Sequence, residues 1–183
     1  MGIILALITR ANIEKSIERP VDVGFAEKYL EPELINSIIE WSGEGGIRCW
    51  GMTKDDKKLF DNAEKMDDLL LMEEGTDVFS NTGYVFAKTH NLEFGQALWQ
   101  ASEGNPCEYI YFLSNVIEIT IYKKELLLDL GEKSTAEIPA RIVLSNNRGL
   151  HSILYDAYRS EWTKIVNSCT DFEKQKEWFY KGW

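Results

Sequence analysis

The apolar positions of this chain change their period several times. Ile3 to Ile8 is a continuous apolar run with β-branched residues, which suits a strand buried on both faces. Asn12 to Glu18 predicts a short helical turn before Pro20. Glu31-Pro32-Glu33 then opens a helix, since proline is tolerated in a first turn. Leu34, Ile35, Ile38, Ile39 and Trp41 give that helix one apolar face, and Ser42-Gly43-Glu44-Gly45-Gly46 ends it in a loop. Ile47 to Trp50 reads as a short strand. Thr53 with Asp56 three residues later has the form of a capping box. Leu59, Phe60, Ala63 and Met66 then predict a helix from Lys54 to Met66.

The second half reads mainly as strands. Leu69 to Met72 is apolar, and Glu73-Glu74-Gly75 is a turn. Thr76 to Ser80 and Tyr84 to Thr89 are expected to pair about a turn at Asn81-Thr82-Gly83. Asn91 to Trp99 suits a short helix. Cys107 to Phe112 and Val116 to Tyr122 are two strands interrupted by Ser114-Asn115. Lys123 to Leu130 is helical up to Gly131, and Ala140 to Leu144 is a further strand. From Leu150 the spacing becomes helical again and ends among Phe172, Trp178, Phe179 and Tyr180. The sum is an α+β fold, a small curved mixed β-barrel or sheet flanked by helices. Residues 1–145 form the domain, and 146–183 form a helical extension that packs back or leads into a further domain.

Composition narrows the function. At 183 residues and 44% hydrophobic content the chain has enough material for a real core. No run of about 18 apolar residues exists, so no membrane span is expected, and Met1 to Leu7 reads as a first strand rather than a leader. Cys49, Cys107 and Cys169 are scattered and the only histidines are His90 and His151. That set argues against a metal site and fits a reducing cytoplasm. The net charge of −10 predicts weak binding to unmodified nucleic acid, because such affinity comes from neutralised phosphates.

Catalysis finds little support. There is no nucleophile elbow, P-loop or dinucleotide fingerprint. The pairs Asp55-Asp56, Asp67-Asp68 and Glu73-Glu74 read as solvated faces. The chain is not expected to be an enzyme or to carry a cofactor. The aromatic residues are more suggestive. Trp50, beside Gly51 and ahead of a helix, has two readings, core or pocket wall, since a buried indole needs a partner for its N–H. A flipped base needs aromatic faces to stack on and polar groups for its Watson–Crick edge. The nearby polar candidates are Ser80, Asn81, Thr53 and Asn62, followed by Asn115 and Asp61.

Leu7-Ile8-Thr9, Cys49-Trp50-Gly51-Met52-Thr53, Val78-Phe79-Ser80 and Gly83-Tyr84-Val85-Phe86-Ala87, in that order over residues 3 to 125, resemble the EVE and YTH domains of the PUA-like superfamily. The Trp-Gly-hydrophobic triplet is the EVE form. With its helical tail the chain is also similar to the N-terminal specificity domains of McrB-type modification-dependent restriction proteins. The resemblance implies recognition of a modified base, with 6-methyladenine in double-stranded DNA the first choice, by flipping it into an aromatic cage. Trp50 matches the first wall. Tyr109 and Tyr111 compete for the second, and Ser80, Asn81 and Thr53 join them as base-binding candidates. Lys54, Lys57, Lys58, Lys123, Lys124 and Arg148 are the candidates for backbone phosphates. The implied partners are an AAA+ GTPase motor in the same full-length chain and a nuclease subunit.

Three other readings stay open: an EVE/PUA-like module for modified RNA, a small hydrolase using the acids and His90, and an interaction domain without nucleic acid. Lysines gathered on one face with Trp50 favour nucleic acid.

Overall fold

The computed structural model describes residues 2–42, 46–99, 106–129, 141–144, 154–160 and 163–164. The chain divides into two compact units, Met1–Asn146 and Asn147–Trp183. In the second, residues 154–160 and 163–164 are helical.

Among the described residues the first unit has six strands: β1 (Gly2–Ile8), β2 (Arg48–Met52), β3 (Asp68–Glu73), β4 (Val78–His90), β5 (Tyr109–Tyr122) and β6 (Arg141–Leu144). They form one sheet in the order β2-β5-β4-β3-β1-β6. Of these strand pairs β1 and β3 run parallel; the others are antiparallel. The parallel pair needs a long crossover. The helices α1 (Arg10–Ile13), α2 (Val23–Ala26) and α3 (Pro32–Ser42), then β2 and α4 (Lys57–Asn62), lie within it. Helices α5 (Leu92–Trp99) and α6 (Lys123–Asp129) flank β5 in sequence. This is the α+β architecture expected from the pattern.

Side chains alternate across the sheet and make two cores. Trp50, Met52, Val85, Tyr109, Tyr111 and Leu113 face one, together with Ile4, Ala6, Leu69 and Leu71. Cys49, Phe86, Ile110 and Phe112 face the other, where residues of α2, α3 and α5 cover them. Both faces of β2, β4 and β5 are therefore occupied, and their sequences mix apolar residues on odd and even positions.

Several local expectations are corrected. The turn predicted at Asn81-Thr82-Gly83 does not exist, and β4 runs unbroken from Val78 to His90. The reversal between β3 and β4 comes earlier, at Gly75, whose φ is +83°. There the Thr76 hydroxyl donates to the Glu73 carbonyl at 2.8 Å. Gly83 answers a packing need: a Cβ there would lie 2.9 Å from the Val116 side chain and 3.2 Å from the Ser114 carbonyl. Ser114-Asn115 likewise does not break the strand. Thr82 pairs with Ile117 and Tyr84 with Ser114, so β5 carries one extra residue there. Asn115, at φ 50°, sits in this β-bulge, a conformation that asparagine tolerates better than most residues.

The helix predicted from Lys54 to Met66 is shorter. A 3₁₀ turn over Lys54–Asp56 leads into α4, which stops at Asn62. Met66 adopts φ 73° and its N–H donates to the Val85 carbonyl at 2.7 Å, drawing the chain back to the sheet. The predicted capping box is absent. The Thr53 hydroxyl instead donates to the Asp56 carboxylate at 3.3 Å. Asn12 to Glu18 forms α1 followed by a π-helical turn over Glu14–Glu18.

Two glycines let α5 close on the sheet. The ring of Trp99 lies where a Cβ on Gly51 would be, at 2.4 Å. A Cβ on Gly95 would lie 1.6 Å from the Cys107 carbonyl oxygen. Alanine normally favours a helix over glycine by about 1 kcal/mol, but here the neighbour is backbone and cannot turn aside. Gly95→Ala is expected to destabilise by about 1–3 kcal/mol, lowering the melting temperature by several degrees. Thermal unfolding followed by circular dichroism checks this.

Candidate nucleic-acid interface

The cross-strand register gathers four aromatic residues at one end of the β2-β5-β4 patch. Trp50 lies opposite Tyr111 and Met52 opposite Tyr109. On the other side of β5, Tyr111 pairs with Lys88 and Tyr109 with His90. The Trp50 and Tyr111 rings are 5.9 Å apart and tilted by 39°. Helix α4 contributes Phe60, whose ring stands 4.9 Å from Tyr109 and stacks at 11° on Tyr111, 5.7 Å away. His90 stacks on Tyr109 at 4.6 Å, and its Nε2 is 3.2 Å from the Glu108 carboxylate.

Polar contacts tie α4 to this cluster. The last carbonyls of a helix lack partners within it. Lys88 Nζ donates to three carbonyls in and after α4: Phe60 at 2.7 Å, Asp61 at 3.2 Å and Ala63 at 2.9 Å. A positive charge at a helix C-terminus is also favoured by the macrodipole. The Tyr111 hydroxyl donates to the Leu59 carbonyl at 3.0 Å. Burial, with Asp67, Asp56 and Asp61 adding to it, pushes the Tyr111 phenol well above its ordinary range. Asp67, itself buried, accepts from the Glu64 N–H at 2.8 Å and from the Gly2 N–H, joining the end of α4 to β1.

The structure thus brings Trp50, Tyr109 and Tyr111 together and adds Phe60. It places Trp50 within β2 rather than at its end, only 6% exposed, with Tyr109 at 8% and Tyr111 fully buried. Of the two readings of Trp50, the core reading describes this structure. Thr53 leaves β2 at the same end, directly after Met52, whose carbonyl accepts the Glu108 N–H at 2.9 Å.

Ser80 and Asn81 are elsewhere. Asn81 pairs with Glu118, seven residues along β4 from the Lys88–Tyr111 pair, or roughly 20 Å at about 3.3 Å per residue. Its side chain is buried and accepts from the Ser80 hydroxyl at 2.9 Å. The lysines also divide. Lys54, Lys57 and Lys58 are exposed at the aromatic end, where Lys57 is bound to Asp61 at 2.5 Å. Lys123 and Lys124 start α6 beyond Tyr122, which pairs with Val78 at the far end of β4. Arg148 lies outside the described residues.

No family model matches this chain, and no curated protein sequence does. A solved structure does: the N-terminal domain of Thermococcus gammatolerans McrB bound to m5C DNA. It aligns with a TM-score of 0.65 over 85% of this chain and 98% of that domain, at 15% identity. The chain has the McrB N-terminal fold. That fold is a mixed sheet flanked by helices, the α+β architecture that the resemblance implied.

Within this McrB-type fold, Phe60, Lys88 and His90 form the cluster's surroundings, and sequence reading missed the first two. Phe60 carried the same helical signal as Leu59. Lys88 lay in a strand whose partner was unknown. Among the described residues no group of three or more His, Cys, Asp or Glu is placed to hold a metal ion. No helix among them is long and apolar enough to cross a membrane.

The Tyr111 phenol makes stability depend on pH in the alkaline range. Its folded-state pKa is raised above the unfolded value near 10, so the unfolded chain loses this proton first. The contribution is complete below about pH 10 and is lost as pH rises above it. Tyr111→Phe is expected to cost about 0.5–1.5 kcal/mol at neutral pH by removing one of the two hydrogen bonds the Leu59 carbonyl accepts, the other coming from the Ala63 N–H at 3.1 Å. It should also flatten the alkaline decline in stability. Urea unfolding at pH 7 and above pH 10 measures both.

Proposed function

We propose that this chain is a DNA-binding specificity module that reads one methylated base, as the recognition part of a modification-dependent restriction system. The observation that carries the reading is the coincidence of the McrB N-terminal fold with a Trp50–Tyr109–Tyr111–Phe60 cluster at one end of the sheet. The solved domain of that fold is bound to methylated DNA. Aromatic faces are what an extruded base stacks on, at about 1–3 kcal/mol per base.

In this reading Tyr109, at the rim between Phe60 and His90, is the stacking platform. Tyr111 and Trp50 form the floor, and Thr53 supplies a hydroxyl at the mouth. Lys54 and Lys58 lie on the exposed side of the same end and meet phosphates. Lys57 contributes less because Asp61 already neutralises it. The net charge of −10 keeps nonspecific affinity low, so discrimination rests on the pocket. Lys123 and Lys124, at the far end, and Arg148 are candidates only for DNA that extends along the domain.

The base is 6-methyladenine on the YTH/EVE resemblance. The methylated cytosine bound by the neighbouring structure favours 5-methylcytosine as the second reading. A modified RNA is the remaining alternative, separated by the 2′-hydroxyl. In a full-length protein an AAA+ motor and a nuclease would act on the signal.

Fluorescence anisotropy with duplexes carrying 6-methyladenine, 5-methylcytosine or no methyl group tests this, with matching RNA as a further arm. One methylated duplex is expected to bind at least tenfold tighter than the unmodified one. Equal affinities for all duplexes overturn the reading. Tyr109→Ala, checked for fold by circular dichroism because Tyr109 is itself only 8% exposed, should remove about 1–3 kcal/mol, roughly five- to 150-fold, from the methylated duplex alone. Lys54→Glu with Lys58→Glu should weaken every duplex alike and flatten the salt dependence. Trp50→Ala is a poor substitute, because emptying so buried a site costs about 3–5 kcal/mol of stability.

A further inference from the structure

The aromatic cluster has no space between its rings. Phe60 lies nearly parallel to Tyr111 with centroids 5.7 Å apart, an ordinary stacked pair. A base between them would need two stacking gaps, and this separation holds one. Phe60 also covers Tyr109 at 4.9 Å. It is only half-buried, whereas Leu59 beside it is core. Phe60 therefore occupies the faces of both tyrosines from the solvent side, on a helix of six residues.

Leu59 anchors that helix in the core, and polar ties hold its end, the three carbonyl bonds from Lys88 and the one from Tyr111. Lys88 is an exposed residue, and its Nζ also lies 5.0 Å from the Phe60 ring centroid. A charged group bonded to carbonyls at a surface exchanges them for water at modest cost, unlike a fully buried network.

We infer that Phe60 is a built-in plug that holds the place of the incoming base against Tyr109 and Tyr111, and that Lys88 is the latch that positions it. Binding then has two parts: α4 gives up its Lys88 bonds and swings Phe60 aside, and the aromatic base takes the vacated faces. The plug keeps the pocket dry and closed to free nucleobases. It also lowers apparent affinity by the fraction of molecules that are open. This inference rests on the base-reading function proposed above.

The test measures affinity and association rate for the methylated duplex preferred by wild type and for the unmodified duplex. The proteins are wild type, Phe60→Ala, Lys88→Met and Lys88→Arg, each checked for fold by circular dichroism. Phe60→Leu replaces Phe60→Ala if the latter does not fold. Phe60→Ala and Lys88→Met are expected to bind the methylated duplex roughly three- to tenfold tighter and faster, the range set by one aromatic contact. Binding of unmodified duplex should be unchanged. Lys88→Arg keeps donors for the carbonyls and stays near wild type. A merely structural role for Lys88 would weaken binding, never tighten it. Weaker binding by Phe60→Ala makes Phe60 a permanent wall and overturns the plug, as does an unchanged affinity in both variants. If wild type itself fails to distinguish the duplexes, the base-reading function falls and the plug with it.

Discussion

The pairing of β4 with β5 is the constraint on which the rest depends. These are the two longest strands, Val78–His90 and Tyr109–Tyr122, and they occupy the middle of the sheet beside β2 and β3. Their register sets Lys88 against Tyr111 and His90 against Tyr109. The bulge at Asn115 separates the two ends of this ribbon. A bulge sharpens the local twist of the pair. One end meets α6, while the other gathers the aromatic cluster.

The second constraint is the end of α4. Six residues cannot make a stable helix alone, and its terminal carbonyls need partners. Lys88 provides them from β4, Tyr111 adds a second bond to the Leu59 carbonyl from β5, and Asp67 secures the segment that follows. The same bonds fix where Phe60 stands. Structure and site are in this sense one arrangement: the groups that satisfy the helix end also bring its aromatic ring onto the two tyrosines.

Charge completes the picture. The acidic chain surrounds its aromatic cluster with charge of both signs: Lys54, Lys57 and Lys58 stand exposed beside it, Lys57 paired with Asp61, while Asp56, Asp61 and Asp67 act on the Tyr111 phenol. Under the proposed function, a domain arranged this way would rely on shape and stacking more than on phosphate attraction. Glu108 and His90 add a polar edge beside Tyr109.

Much of the fold was legible in the sequence because periodicity reports burial directly. The run Ile3 to Ile8, the helical face of Leu34 to Trp41, and the segments Ile47 to Trp50, Cys107 to Phe112 and Val116 to Tyr122 predicted β1, α3, β2 and the two halves of β5. The false turn at Asn81-Thr82-Gly83 shows the limit. Turn chemistry and close backbone packing both call for glycine, and only the bulge of β5 against Gly83 separates them. Trp50, Tyr109 and Tyr111 could be chosen from sequence as aromatics near strands. Ser80 and Asn81 were chosen by proximity in sequence, and the antiparallel register carried them to the other end of the ribbon. The sequence by itself determined the element types, the aromatic content and the acidic balance, all properties of short windows. The tertiary structure alone decided that Phe60 and Lys88 meet Tyr111, because a cross-strand register and a helix-end hydrogen bond join residues up to 52 positions apart, which no local pattern encodes.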